Sequence, residues 1–468
     1  LRSNVSLFGN IFAARCSWDH WTADLNARDV RHARKAISRM QCSGGNPCTN
    51  CSRRDSSCKY PAKSTAVVKI NSANQRTIHN GSFVCSVIPR EPIFNDGSNI
   101  LNIFLTKFVQ ENSFTGCSST WFLDIQAHFA SSAAVHHAIS ALSALYASRE
   151  EGSNRVRNQK AALRAYQTAV KTVRKTIDAE DPNIEQPLLS STFLLGLFEL
   201  MYDPTGEGWI QHTMYGTSKI LQHLGPDAFR SGLGLNFFHQ MRMFEVSRSL
   251  IFSESSFLVE APWRDLMKGT STDNMSDHPI ESLLALMLRC SDHCFRALRY
   301  LDPLDTSALS HEEMQQLRAF AVEGFDLRLE LCEVQATLSA LDDPAKDDRT
   351  IIAKIYLAAT SIFLSGVYDY RSVWLKHIEA VPTLPQTMIE EHLSTILDLT
   401  ESAMARTNLS TLLFLYPLRV ACSRVWTLNE RDRLRSMLGT IKKSFAVAHV
   451  FITEVEELWI TPVSDRYD

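Results

Sequence analysis

No apolar run in the sequence approaches the roughly 18 to 20 residues that cross a bilayer. The best stretches, "STFLLGLFELMY" and "TLLFLYPLRV", are short and interrupted by polar residues or proline, so neither a transmembrane segment nor a membrane partner is expected. The opening "LRSNVSLFGNIFAARCSWDHW" lacks the continuous apolar region and cleavage site of a secretory signal. G-x-S-x-G and H-E-x-x-H are both absent, and "SGLGLN" is too short and wrongly flanked for a phosphate loop. No catalytic residue is expected, and the chain is not read as an enzyme. Convincing alternating strand patterns are missing as well, which argues against a β-rich fold.

The 468 residues, 45% hydrophobic and 21% charged, suit an ordinary globular protein with a large core. Cysteine is scattered thinly except in one place. Of eleven cysteines, Cys42, Cys48, Cys51 and Cys58 fall in "QCSGGNPCTNCSRRDSSCKYP" with the spacing C-x5-C-x2-C-x6-C. Four unligated surface thiols so close together would be reactive, whereas thiolates are tetrahedral zinc ligands and C-x2-C lets one tight turn hold a single ion by two of them. Zinc is therefore the expected cofactor. The other cysteines follow no framework, which fits mostly free thiols in a reducing compartment.

Charge is uneven. The net charge is −3, but Arg28 to Lys69 holds ten Lys/Arg against two Asp, about +8, which leaves about −11 for the rest. A small basic head on an acidic body suits a polyanionic partner such as nucleic acid. Residues 61–97 are rich in Pro, Ser, Asn and Gly, with no helical period and no heptads, and are read as a linker.

Beyond about Leu101 the pattern turns helical. Val135, Ile139, Leu142 and Tyr146 form one stripe at three- and four-residue steps. Leu163, Tyr166, Val170, Val173 and Ile177 form another, and Phe445, Ala448, Ile452, Val455 and Trp459 a third. "DAEDPN", "DPTGEG" and "LGPDAF" read as turns between helices. The expected fold class is mainly all-α: a small zinc-stabilised N-terminal module, a linker and a large multi-helix domain over residues 98–468.

The cysteine segment resembles the second half of the fungal zinc binuclear cluster, a transcription-factor module in which six cysteines hold two zinc ions. "AVHHAISALSALYASR", "ALRAYQTAVKTVRKTI" and "GWIQHTMYGTSKILQHLGP" are similar to the helical regulatory region that accompanies such clusters. By resemblance, Cys42 takes the place of the third cysteine, Cys48 the fourth and bridging one, Cys51 the fifth and Cys58 the sixth. The missing pair would stand at positions 32 and 35, where this chain has His32 and Lys35. Histidine can ligate zinc; a lysine ammonium is a poor ligand. Residues 32–60 are therefore a partial cluster. Either its DNA contact has weakened, or residues before Cys42, with 1–31 unassigned, come from a wrong start or unspliced sequence. The second account is preferred, because family character begins abruptly at Cys42.

Arg39 stands where the family commonly presents a lysine to base edges, and Arg53, Arg54 and Lys59 are expected on phosphates. The resemblance implies a nuclear, zinc-dependent, DNA-binding transcription regulator of a metabolic or secondary-metabolite pathway. Its expected partners are double-stranded DNA and a second copy or another regulator. The alternative is a helical co-regulator or scaffold that has lost zinc and DNA binding. Cys290, His293 and Cys294, one helical turn apart, are a weaker metal candidate, since cysteines on an apolar helix face usually pack as small hydrophobes. At least one of His136 and His137 is expected inside the core.

Overall fold

Helix starts follow local chemistry. Ser132 accepts a hydrogen bond from the Val135 amide at the start of one helix, while Ser310 with Glu313 and Thr427 with Glu430 form capping boxes at two others. The structure is a computed structural model and describes residues 97–115, 121–149, 155–178, 185–212, 216–269, 278–304, 308–341, 347–369 and 371–460. All of these lie in one unit that includes Phe94–Asp468, and a second unit, Phe12–Ile93, lies outside the described residues.

In chain order the helices are α1 (Gly97–Ile103), continued by a π-helical turn (Phe104–Val109), α2 (Trp121–Ser131), α3 (Ala133–Ala147), α4 (Arg155–Asp178) and α5 (Glu185–Tyr202). They continue with α6 (Glu207–His212), α7 (Ser218–Leu224), α8 (Gly232–Phe252), α9 (Ala261–Gly269), α10 (Pro279–Leu301) and α11 (His311–Ser339). The last are α12 (Asp348–Asp369), α13 (Ser372–His377), α14 (Gln386–Arg406), α15 (Leu415–Cys422), α16 (Leu428–Ser444) and α17 (Ala448–Ile460). Among the described residues no strand forms; one isolated parallel bridge joins Ser113 to Leu409. The all-α expectation holds for these residues; "DPTGEG" and "LGPDAF" fall where α5 and α7 end, while "DAEDPN" lies, beyond Asp178, outside the described residues.

The core has two foci. α3 packs against α1, α2, α4 and α5, and α12 against α10, α11, α14 and α15; α8 touches α2, α5, α10 and α15 and so ties the two together. α12 is apolar on every face and buried along nearly its whole length, which marks a central core helix. By length and composition it is also the one described helix that could span a membrane. The longest apolar stretch is therefore neither in α5 nor around α15, as expected above, but "IIAKIYLAATSIFLSGVYD", whose length a single lysine hides.

Two stripes need correction. In α4 the buried positions are Ala162, Ala169 and Val173; Leu163, Tyr166 and Val170 are only half-buried and Ile177 is exposed. Small alanines sit deepest because α4 packs closely on α3 and α5. The C-terminal stripe is not one helix: Phe445 leaves α16 with extended dihedrals and α17 begins at Ala448. Phe445, Ala448 and Val455 are buried as expected, whereas Ile452 and Trp459 are half-buried.

Candidate functional site

The residues that the sequence assigns to zinc and DNA all lie outside the described residues: Cys42, Cys48, Cys51 and Cys58, then Arg39, Arg53, Arg54 and Lys59, and the substituted positions His32 and Lys35. The chemistry that the structure does display lies in the helical body, where charged side chains have been taken into the core.

α8 carries most of them. Glu245 is only 1% exposed. Its carboxylate accepts hydrogen bonds from Arg248 Nε (3.0 Å) and Nη2 (2.8 Å), from Ser218 at the start of α7 (3.2 Å) and from Ser256 (2.7 Å). Arg248 also reaches Glu254 through Nη1 at 2.8 Å. Such a carboxylate has its hydrogen bonds satisfied, and it fixes the loop after α8 and the start of α7 onto one helix face.

One turn earlier, Arg242, 4% exposed, places Nη2 2.5 Å from Glu281 Oε2 on α10, while Arg349 at the start of α12 approaches Glu281 Oε1 at 3.4 Å. Two guanidiniums share one carboxylate, and among the described residues Arg242 Nε and Nη1 find no hydrogen-bond partner. His239 lies on the same face. Burial, then the charges of Arg242 and Arg349, hold its imidazole down to about 3. His278 caps α10: its Nδ1 accepts from the Ile280 amide at 3.2 Å, and its Nε2 lies 3.0 Å from Asp347. This network joins α8, α10 and α12. The charges interrupting "FFHQMRMFEVSRSL" are the sequence signal that could have found it, since Arg242, Glu245 and Arg248 recur at three-residue steps inside an apolar run.

Cys290, His293 and Cys294 are fully buried in α10. Burial pushes the Cys290 thiol up to about 12 and Cys294 well above the ordinary thiol range, so the thiolate that a metal needs is disfavoured. His293 Nε2 lies 2.7 Å from the Tyr368 hydroxyl on α12, and Nδ1 lies 3.3 Å from Glu323 on α11. Among the described residues no group of three or more potential ligands could hold a metal ion. The trio therefore packs helices together. Glu323 is held down at about 2 by His293 and by Arg296, which meets it with two nitrogens. His136 and His137 are both half-buried rather than interior; His136 rests on Phe129, ring centroids 4.7 Å apart.

Two small cavities open between these elements. One of about 30 Å³, the room of about two water molecules, is enclosed by Trp209, Phe244, Tyr356, Leu413, Tyr416 and Phe451. The other, of about 40 Å³, lies beside Tyr146, Glu111 and Arg149, where Arg149 donates to the carbonyls of Met201 (2.8 Å) and Ser444. The arrangement suits a closely packed helical platform braced by buried charge.

No match was found among curated proteins or among solved structures. Residues 82–461 match the profile described as the fungal specific transcription factor domain; the match starts beyond Cys58 and runs through every described helix from α1 to α17. With most of its length inside that match, the chain belongs to the fungal-specific transcription factor family, a family of transcription regulators.

Proposed function

We propose that the chain is a zinc-dependent, DNA-binding transcription regulator that acts in the nucleus, with the cysteine segment as its DNA-binding module and the helical body as its regulatory part. The observation that carries this reading is the C-x5-C-x2-C-x6-C segment standing ahead of a body that belongs to a transcription-factor family. The donor set fits one zinc ion: Cys42, Cys48, Cys51 and Cys58 supply four thiolates. It does not fit two, because Lys35 offers an ammonium where a ligand is needed. When bound, the metal would supply the fold energy that so small a module cannot draw from a core.

On this reading Arg53, Arg54 and Lys59 hold DNA phosphates, and Arg39 pairs with a base edge. The acidic remainder of the chain leaves phosphate binding to this basic head. By family resemblance, the regulated pathway is a metabolic or secondary-metabolite one. Zinc per chain and salt-dependent DNA affinity, measured on the full chain, test the reading together. The expected result is about one zinc per chain, lost in Cys51→Ser, and a DNA affinity that falls steeply with salt. Replacing Arg53, Arg54 and Lys59 by Ala should weaken binding to all sequences and flatten the salt slope by about one unit per contact, whereas Arg39→Ala should relax sequence preference.

His32 and Lys35 favour a second reading, a co-regulator that has lost its DNA contact. Absence of zinc together with absence of salt-sensitive DNA binding would establish that alternative and overturn the first.

A further inference from the structure

α11 has two apolar faces, and among the described residues only one of them is packed. Leu317, Phe320, Gly324, Leu327, Leu331 and Leu338 face the core. Val322, Phe325, Leu329, Cys332 and Ala336 form a second row that faces solvent, with Val322 61%, Phe325 43% and Leu329 62% exposed, and with Cys332 and Ala336 exposed as well. Single exposed apolar residues are ordinary; five in register along one helix are not. Their steps are three, four, three and four, the a and d spacing of a seam into which another helix packs.

We infer that this row is a self-association surface, and that its occupant is α11 of a second copy of this chain, packed antiparallel about a two-fold axis near Leu327. Charge selects both the occupant and its direction. Arg318 continues the row at its N-terminal end and Glu333 flanks it near the other end; both are exposed, and neither has an ion pair among the described residues. A parallel pair would set Arg318 against Arg318 and Glu333 beside Glu333. An antiparallel pair lays each Arg318 over Ala336 of the other copy, one turn from Glu333, so that both charges find opposite partners. The same register sets Val322 against Cys332 of the second copy and Phe325 against its Leu329, pairing a larger side chain with a smaller or flexible one in each layer. Asp326 of each copy approaches its equivalent on one flank, and a single helix pair is at the small end of specific interfaces. The association is therefore weak, with a dissociation constant in the micromolar range, and it requires neither zinc nor DNA.

Sedimentation of the full chain over a micromolar concentration series tests this, with Leu329→Glu as the disrupting variant and an unchanged melting temperature as proof that it folds. The expected result is a concentration-dependent dimer whose dissociation constant rises at least tenfold in Leu329→Glu. Arg318→Glu should weaken association, and Arg318→Glu with Glu333→Arg should restore it. Direction has its own readout. Val322 and Cys332 are ten residues and about 15 Å apart along one helix, beyond the roughly 7 Å limit for a disulfide within the chain. Val322→Cys oxidised with diamide, which takes up the two protons and two electrons that the thiols release, should give a covalent dimer that disappears when Cys332→Ser is added. A chain that stays monomeric, or dimerises equally as Leu329→Glu, assigns the row to a different partner and overturns the proposal. Dimers without the Val322–Cys332 cross-link overturn the antiparallel register.

Discussion

At the scale of single residues, Gly324 shows why α11 can lie so close to α12. A Cβ added there would fall against the Tyr368 hydroxyl and stand 2.7 Å from Pro382 Cγ and 2.9 Å from Tyr368 Cζ. Tyr368 cannot easily withdraw. It is buried, it donates to the Phe320 carbonyl at 2.9 Å, and its oxygen lies 2.7 Å from His293 Nε2. Two effects oppose each other in Gly324→Ala. Alanine gains up to about 1 kcal/mol of helix propensity, while forcing an extra carbon into a filled core costs about 1 to 3 kcal/mol. Because the obstructing atoms belong to a hydrogen-bonded ring and a proline, steric cost should win, and the variant should lose about 1 to 2 kcal/mol by urea unfolding. Stability equal to the wild type would mean that α11 and α12 can move apart at no cost.

At the scale of elements, Glu281 is the residue on which the junction of α8, α10 and α12 turns. It neutralises Arg242, which is buried and whose Nε and Nη1 are unpartnered among the described residues, and it approaches Arg349 as well. Removing one member of a buried pair leaves an uncompensated charge, at about 3 to 5 kcal/mol. Glu281→Ala should therefore be among the most damaging single changes in the body, read as a large fall in the urea midpoint. Glu281→Ala with Arg242→Met should recover much of the loss, since it removes the stranded charge too; failure to recover would show that Glu281 acts through something other than Arg242. This junction also marks where sequence reading stops. The stripe in α3 was legible because Val135, Ile139 and Leu142 are large, apolar and buried. In α4 the closest approach is made by Ala162 and Ala169, which hydropathy alone does not distinguish from surface alanines. The break between α16 and α17 has no proline or glycine to announce it. It exists because the amides of Ala446 and Val447 bond the Met201 and Leu200 carbonyls in the last turn of α5, about 245 residues away in sequence. Glu281 and Arg242 are likewise distant in sequence, so the charges were visible and their pairing was not. For the cysteine segment the spacing alone carries the expectation, and its residues lie outside the described ones.

At the scale of the whole molecule, the body should be sensitive to mild acid, through histidines held neutral inside it. Burial, followed by Arg242 and Arg349, lowers His239 to about 3, and burial, followed by Arg328, lowers His392 to about 4. His278 and His137 are lowered as well, each mainly by burial and then by the neighbouring charge of Arg349 or His136. In the unfolded chain these groups titrate near about 6.5. A group whose folded value lies below its unfolded one gives stability that is complete above the unfolded value and is lost as pH falls toward the folded one. For these histidines the loss begins near pH 6.5 and continues toward about pH 4 or 3 for His392 and His239. Glu323 enters only later: held down at about 2, it contributes stability that is complete above its unfolded value of about 4.3 and is lost as pH falls below that. Between about pH 6.5 and 5 the slope of stability against pH should therefore report histidines almost alone. Urea midpoints measured across that interval should fall steadily in the wild-type chain, and His239→Asn with His392→Asn should flatten the slope whatever it does to stability at neutral pH. An unchanged slope in the double variant would show that both imidazoles accept protons in the folded state without displacing Arg242, Arg349 or Arg328. The core would then be looser around its buried cations than the packing of α8, α10, α11 and α12 requires.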